Sequence, residues 1–182
     1  MGLGFSAVVG TVGVVAAVGR VSCVVFDYGS TLTVPGAKVD PGLKMRPVDP
    51  VAIVALRRLH TAGLRLVLAS NTKTEQDRRL ALRRAGIEDV FKVVLQSAQL
   101  GVAKPAPIFY RMVIAAAGCA PERILFVGDN MAGDVVGPLG QGMSAALVRP
   151  DGLGPGEVLP GGAKMIRHVR EVGFPGHNGD HH

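Results

Sequence analysis

Polar side chains that could carry chemistry directly follow apolar runs in this sequence. They form four clusters, centred on Asp27, Ser70, Lys104 and Asp129. Carboxylates can act as nucleophiles or metal ligands, hydroxyl and amide groups can bind phosphoryl groups, and an ammonium group can neutralise anionic charge. The clusters predict a site for an anionic substrate, provided that the fold brings them together.

Asp27 follows the apolar run at residues 21–26 and precedes Gly29, Ser30 and Thr31. A carboxylate in this place can be a nucleophile, a metal ligand or a helix cap, and a cap or turn residue is the commonest case for an isolated one. The three following residues could form a tight loop whose backbone N–H groups bind an anion beside the carboxylate. An aspartate nucleophile would then form a covalent acyl phosphate that water later cleaves.

Asp129 and Asp134 lie five residues apart next to Gly128 and Gly133, a spacing that can bring both carboxylates to one cation. A few hard oxygen ligands that leave room for water and phosphate suit Mg²⁺ better than zinc. Mg²⁺ would shield the repulsion between Asp27 and an anionic substrate. We therefore expect Mg²⁺ as the cofactor.

Ser70 and Asn71 follow the apolar run at residues 64–69 and are candidates to bind a phosphoryl group. For Ser70 a helix cap is about as good an explanation, and Asn71 is even better placed to cap the next helix, so this alternative stays open. Lys104 precedes Pro105 in a loop whose fixed backbone could aim the ammonium group at a phosphate or at the nucleophile. A lone loop lysine is more often solvated, and the other clusters are what favour a role for it.

Strand-like and helix-like segments alternate along the chain and must position these groups. Apolar runs predict strands at 21–26, 64–69, 91–95, 124–127 and 145–148. Helical spacing predicts helices at 47–62, 74–85 and 107–117, with a short helix beginning near Asp134. This alternation predicts a doubly wound, Rossmann-like α/β fold with a mainly parallel sheet and helices on both faces. In such sheets ligands bind beyond the carboxyl ends of the strands, where the clusters would meet.

The predicted helices also carry expectations about which side chains face the core. The apolar set in the first helix is Val51, Val54, Ala55, Leu59 and Ala62, with Asp49 and Pro50 as start and Gly63 as stop. In the second helix we expect Leu80 and Ala81 to face the core. The formal charge of +6 comes largely from arginines on or next to these helices, and a solvated helix face is the usual explanation for Arg57, Arg58, Arg65, Arg78, Arg79, Arg83 and Arg84.

The order and spacing of the four clusters resemble the four signature motifs of the haloacid dehalogenase superfamily. The resemblance covers residues 21–148, with motifs at 24–32, 66–72, 101–109 and 126–136. It implies a Mg²⁺-dependent hydrolase, and specifically a phosphatase that forms an aspartyl-phosphate with an unknown phosphorylated substrate. It also implies individual roles: Asp27 as nucleophile and metal ligand, Ser70 on the phosphoryl group, Lys104 on its charge, and Asp129, Asp134 and the Gly29 carbonyl on Mg²⁺.

Gly29 departs from the phosphatase pattern of this superfamily, in which the same position holds a second aspartate that acts as general acid and base. Glycine cannot transfer a proton, and such assistance is worth roughly 10²- to 10⁴-fold in rate. Dehalogenases, phosphonatases and transport ATPases of the superfamily also lack this aspartate, but Gly128, Asp129 and Asn130 resemble the phosphatase motif. The alternative is a catalytically weak binding or regulatory domain.

We expect no large cap domain, because only about 15 residues separate Thr33 from Pro47. An open site would admit a phosphorylated small molecule or macromolecule, or would be closed by a neighbour in a homo-oligomer. Residues 34–46, with Lys38, Lys44 and Arg46, are either a substrate-reading flap or an ordinary surface loop.

The length of 182 residues predicts one hydrolase domain at 20–150, between an apolar extension at 1–19 and a Gly/Pro-rich tail at 151–182. The tail carries one possible short helix at 164–172 and the histidines His177, His181 and His182. Residues 3–19 are a marginal membrane span, so no membrane partner is expected. Two cysteines without metal or disulfide spacing indicate a reduced, cytoplasmic protein, and the lack of Trp argues against binding of single-stranded nucleic acid.

Overall fold

A parallel sheet of six strands forms the centre of the computed structural model, which describes Ala16–Ala17 and residues 21–173. The described residues form eight strands, which are β1 (Ala16–Ala17), β2 (Cys23–Phe26), β3 (Arg65–Ser70), β4 (Phe91–Gln96), β5 (Ile124–Gly128), β6 (Ser144–Val148), β7 (Ala163–Ile166) and β8 (Val172–Gly173). Six of them, β2 to β7, form the central sheet. The sheet has the order β4-β3-β2-β5-β6-β7, and β1 pairs with β8 in parallel.

Helices cover both faces of this sheet. They are α1 (Pro50–Thr61), α2 (Arg78–Arg84), α3 (Ser97–Leu100), α4 (Pro107–Ala117) and α5 (Gly137–Gly140). Short 3₁₀ turns span Glu88–Val90, Pro121–Arg123 and Val169–Glu171, and one π-helical turn spans Met131–Val136. The predicted doubly wound α/β fold is confirmed, and within residues 21–173 no large cap domain is inserted.

Alternating side chains of the central strands enter two apolar clusters, one on each face of the sheet. Val24 and Phe26 of β2 pack with apolar residues of α1 and α2, whereas Cys23 and Val25 pack with residues of α4. Because β2 is buried on both faces, its sequence is a continuous apolar run and does not alternate between apolar and polar residues. This pattern is what allowed β2 to be predicted from the sequence.

The chain beyond residue 150 differs from the expectation. Ala163–Ile166 form β7, which pairs in parallel with β6, and Val169–Glu171 form a 3₁₀ turn. The short helix predicted at 164–172 is therefore wrong, because backbone pairing with an already buried strand outweighs the weak helical spacing. His177, His181 and His182 lie outside the described residues, and so does most of the predicted extension at 1–19.

Helix α1 begins and ends as predicted but is rotated relative to the expected face. The Asp49 carboxylate accepts a hydrogen bond from the Val51 backbone N–H, and Gly63 follows the helix with φ +86°. Val51 and Val54 are exposed, however, and the buried residues are Ala52, Ala55, Leu56 and Leu59. The face that packs on the sheet places Leu56 next to Leu59, so the prediction is wrong for the two valines and for Ala62, which is exposed as well.

Helix α2 begins four residues later than predicted, because Asp77 rather than Thr74 is its cap. The Asp77 side chain accepts from the Arg79 backbone N–H. Ala81 is buried as expected, but Leu82 is also buried and Leu80 is 40% exposed, which contradicts the expectation for Leu80. Arg78, the first residue of the helix, is buried too, although we expected it on a solvated face.

Candidate active site

A cavity of about 430 Å³ lies at the carboxyl ends of β2, β3 and β5. These three strands are adjacent and parallel, so the residues that follow them meet at one edge of the sheet. Seven of the nine predicted site residues line the cavity: Asp27, Gly29, Ser70, Asn71, Lys104, Asp129 and Asp134. The other two, Ser30 and Thr31, lie in the loop after β2.

Three carboxylates converge in this cavity. One oxygen from each of Asp27, Asp129 and Asp134 lies within 4.8 Å of the others. Burial raises the pKa of Asp134 to about 6, and the charge of Asp27 adds to this rise. Burial and then Asp27 also raise the pKa of Asp129. Burial and the charge of Asp27 thus disfavour the fully ionised cluster, and a nearby cation would relieve this effect.

Lys104 supplies one positive charge to the cluster. Its Nζ lies 2.9 Å from Asp27 Oδ1 and 2.7 Å from Asp134 Oδ1, and it donates to the Ala69 carbonyl at 2.9 Å. Burial by itself would lower the pKa of Lys104, but the two carboxylates outweigh it and the pKa is raised. Two ion pairs thus stabilise the charged form of the lysine.

Asn71 fixes the loop that carries Lys104. Its side-chain amide donates to the Lys104 carbonyl, and its side-chain oxygen accepts from the Lys104 backbone N–H, both at 2.9 Å. These two bonds join the two loops in the way that a pair of backbone hydrogen bonds joins two neighbouring strands. The contacts favour a positioning role for Asn71 over the phosphate contact that we predicted.

The π-helical turn at Met131–Val136 holds Asp134 in the cavity. Asp134 Oδ2 accepts from the Asn130 backbone N–H at 2.9 Å, and the Asn130 side chain accepts from the Gly133 N–H at 2.8 Å. The Tyr110 hydroxyl donates to the Gly133 carbonyl at 2.7 Å, so α4 supports the turn from below. Gly128 is required here because a Cβ at that position would collide with the Asp134 side chain.

The loop after β2 makes fewer contacts with the cavity. Thr31 is buried, and its Oγ1 lies 3.5 Å from Asp129 Oδ1. Ser30 is exposed at a φ of +55°, and its backbone N–H donates to Thr33 Oγ1 at 3.1 Å. The N–H of Ser30 is thus engaged within the loop instead of facing an anion. A phosphate contact by Ser30 or Thr31 stays a prediction.

Arg78 lines the cavity, although sequence reasoning missed it. Its Nε donates to Ser70 Oγ at 3.1 Å, and its Nη2 donates to the Asn71 carbonyl at 3.3 Å. The guanidinium lies 4.4 Å above the centre of the Tyr28 ring. Burial lowers the pKa of Arg78, while Asp27 and Tyr28 act in the opposite direction. The signal in the sequence was Asp77, a good cap that places Arg78 at the first helical position.

The chemistry of the donors fits a small, hard cation. Three carboxylates from separate positions offer oxygen ligands, and Thr31 adds a hydroxyl beside Asp129. No cysteine or histidine lines the cavity among the described residues, so the soft and nitrogen ligands typical of zinc are missing there. The acidic cluster could therefore bind a divalent cation.

Comparison with known families agrees with this arrangement. The profile of the haloacid dehalogenase-like hydrolases matches residues 41–138, more than half of the chain. The chain belongs to this family of hydrolases. The matched region contains the Ser70, Lys104, Asp129 and Asp134 positions, whereas Asp27 lies before it.

Two curated relatives of this hydrolase are phosphatases by name. The chain is 35% identical over 126 residues to a phosphoserine phosphatase of Thermus thermophilus, covering 69% of this chain and 50% of the relative. It is 34% identical over 107 residues to a glyceraldehyde 3-phosphate phosphatase of Methanothermobacter thermautotrophicus, covering 59% and 46%. The hydrolase thus spans about half the length of the curated relatives it matches.

A solved structure supports the fold of this chain over most of its length. An uncharacterized protein from Listeria monocytogenes serotype 4b superposes with a TM-score of 0.69 at 24% identity. The match covers 84% of this chain and 94% of that protein. None of the helices in the described part of the hydrolase is both long and apolar enough to cross a membrane.

Proposed function

We propose that this hydrolase is a Mg²⁺-dependent phosphatase that forms an aspartyl-phosphate on Asp27. The observation that carries the proposal is the cluster of Asp27, Asp129 and Asp134 around the Lys104 ammonium group at the carboxyl edge of the sheet. The phosphatase names of the relatives support the reaction class. The substrate would be a phosphorylated small molecule or macromolecule that enters an open cavity.

In this proposal Asp27 attacks the phosphorus atom. Lys104 binds Oδ1 of Asp27, so attack falls to the other carboxylate oxygen. A bond forms between that oxygen and phosphorus while the bond from phosphorus to the leaving oxygen breaks. Water then attacks the phosphorus of the acyl phosphate, and inorganic phosphate and the Asp27 carboxylate are released.

The surrounding donors would stabilise the charge on the phosphoryl group during transfer. Lys104 and the Ser70 hydroxyl are the candidates, and Arg78 orients Ser70 through the bond from its Nε. Asp27, Asp129, Asp134 and the Gly29 carbonyl would hold Mg²⁺. When bound, Mg²⁺ would neutralise phosphate charge and reduce its repulsion from the nucleophile.

With glycine at position 29, no carboxylic acid is placed there to protonate the oxygen of the leaving group. A Cβ built on Gly29 meets no atom within 4 Å, so the position faces open space. Water can enter there and supply the proton, but without the advantage of a positioned acid. The phosphatase should therefore act best on esters whose leaving groups need little protonation, such as aryl phosphates.

The first experiment is the Asp27→Asn substitution in a phosphatase assay with an aryl phosphate and Mg²⁺. We expect activity to fall at least about 10³-fold, because the amide is not a nucleophile. Asp151→Asn is the matched control: it makes the same chemical change at an exposed loop position and should retain activity. Full activity of Asp27→Asn would overturn the mechanism.

A second measurement separates an enzyme from a binding domain. Beryllium fluoride with Mg²⁺ mimics a phosphorylated aspartate and should raise the Tm of either one through binding. Release of inorganic phosphate from an aryl phosphate that depends on Asp27 is expected only of the enzyme. Stabilisation without any such release would favour the regulatory domain.

A further inference from the structure

A smaller pocket of about 200 Å³ adjoins the cavity on the side of the loop after β2. Gly29 and Arg78 line both spaces, so they form the boundary between them. Gly29 has no side chain, and the space that a Cβ would enter holds no other atom within 4 Å. A substrate held by Asp27 could therefore extend past Gly29 into this pocket.

The pocket carries positive charge and lacks negative charge. Its ten lining residues include Lys44, Arg46 and Arg78, and none of them is an aspartate or a glutamate. The main cavity next to it holds three carboxylates against Lys104 and the shared Arg78. The two spaces thus differ in charge, and an anionic group is attracted to the smaller one.

The wall that carries Lys44 and Arg46 is held to the body of the protein. The Tyr28 hydroxyl donates to the Arg46 carbonyl at 2.8 Å, and the Gln76 side chain donates to the Lys44 carbonyl at 3.0 Å. Asp40 closes the turn before them by accepting from the Gly42 and Leu43 backbone N–H groups. The basic groups are therefore displayed by a fixed turn.

Arg78 forms the buried end of the pocket. A guanidinium has five N–H donors, and among the described residues three contacts are made, to Ser70 Oγ, the Asn71 carbonyl and Met45 Sδ. The stacking of Arg78 on the Tyr28 ring fixes its plane. The remaining N–H groups are available to an anion.

We infer that this basic pocket binds a second anionic group, a carboxylate or a phosphate, on the leaving-group side of the substrate. The inference rests on the proposed phosphatase activity and adds the class of substrate to it. The second anion would lie between Arg78 and the exposed Lys44 and Arg46, while the transferred phosphoryl group lies against Asp27. This pairing of charges would also hold the leaving oxygen next to Gly29.

The test compares three phosphate esters that share a three-carbon chain. They are propyl phosphate, the phosphate ester of 3-hydroxypropanoate, and propane-1,3-diol bisphosphate. We expect kcat/KM for at least one of the two esters with a second anion to exceed that for propyl phosphate by about tenfold, consistent with two or three partly solvated charge contacts. The carboxylate and bisphosphate arms show which anion is preferred.

The double variant Lys44→Asn with Arg46→Gln removes two of the positive charges. Lys44 has φ +58°, and asparagine tolerates this left-handed conformation. We expect the preference ratio to fall about tenfold in the double variant and to be unchanged in Lys92→Gln, which removes an exposed charge at the start of β4. Should the double variant lose cooperative unfolding, Arg46→Gln alone gives the same comparison with about threefold effect.

The outcomes separate the inference from the proposed function. Equal kcat/KM for all three esters, or a ratio that survives loss of the basic side chains, would overturn the inference and leave the phosphatase proposal in place. If the protein hydrolyses none of the three esters and no aryl phosphate, the proposed function is overturned, and this inference is overturned with it. A ratio that falls in Lys92→Gln as well would assign the preference to net charge rather than to the pocket, and would also overturn the inference.

Discussion

The two sides of the cavity are built very differently. On the carboxylate side, Asp134 is 1% exposed and both of its oxygens are bound, one to Lys104 and one to the Asn130 backbone. On the side of the loop after β2, Gly29 faces open space and Ser30 is exposed. One side is a closed network of contacts, and the other is a gap bordered by basic groups.

This difference indicates that binding of the phosphoryl group and protonation of the leaving group take place on different sides of the cavity. The carboxylate side holds the proposed nucleophile and the three carboxylates that we propose for the cation. The opposite side has no acid and is where substrates can differ. Substitutions on the first side should abolish activity, whereas substitutions on the second should tune it.

The strongest way to break the comparison is Lys104→Met, which leaves the carboxylates without their ammonium group. We expect a loss of activity of at least about 10³-fold, since charge stabilisation of this kind is worth several kcal/mol. Loss of one partner from a buried ion pair should also lower the free energy of unfolding by about 3–5 kcal/mol without metal. Denaturant unfolding and phosphate release measure the two effects.

Lys92→Met is the matched control for this prediction, because Lys92 is exposed on β4 and away from the carboxylates. It should retain both stability and activity. A Lys104→Met protein with full activity would show that the carboxylate side does not depend on its internal charge balance.

Gly29→Asp sharpens the comparison from the other side by supplying the missing acid. The space around Gly29 admits a side chain without collision, so we expect activity on alkyl phosphates to rise by about 10- to 100-fold. Aryl phosphates, which need less protonation, should gain less. Gly161→Asp, at another glycine with open surroundings, should have no effect, and equal rates for Gly29→Asp and the parent would point to a different proton source.

The smallest expected effect is a pH-dependent response to Mg²⁺ in thermal unfolding. The pKa of Asp134 is about 6 in the folded protein against an ordinary value of 3.8, so its stabilising contribution is complete below pH 3.8 and is lost as pH rises through 6. Mg²⁺ favours the ionised carboxylate and should restore this loss. We expect Mg²⁺ to raise Tm by several degrees more at pH 7.5 than at pH 5.

Asp134→Asn should remove most of the difference between the two pH values, while Asp151→Asn should keep it. An equal Mg²⁺ response at both pH values in the parent would argue that the cation binds elsewhere. Measurement by calorimetry with and without Mg²⁺ is sufficient.

Much of the carboxylate side could be predicted from the sequence, because it depends on where buried strands end. Asp27, Ser70 and Asp129 were expected at one edge of the sheet, and they line one cavity. Strand ends are visible as apolar runs followed by turn residues. The structure shows the positions of these residues in the fold, whereas their roles stay predictions.

The other side could be predicted only in part. Gly29, Lys44 and Arg46 were singled out from the sequence, but Arg78 was missed because its burial depends on the phase of α2. Moving the start of α2 from Thr74 to the Asp77 cap changes Arg78 from an expected surface residue to a buried wall of the cavity. The strand β7 was missed because it is a short segment in Gly/Pro-rich surroundings that pairs at the edge of the sheet with β6.

The three partners of Lys104 have a consequence for the order of events during refolding. They lie 77, 35 and 30 residues from it along the chain. Contacts that close such large loops form late, because chain entropy opposes them until several strands have paired. Activity during refolding should therefore return only after β2, β3 and β5 have paired, so that recovery of activity reports on assembly of the centre of the sheet.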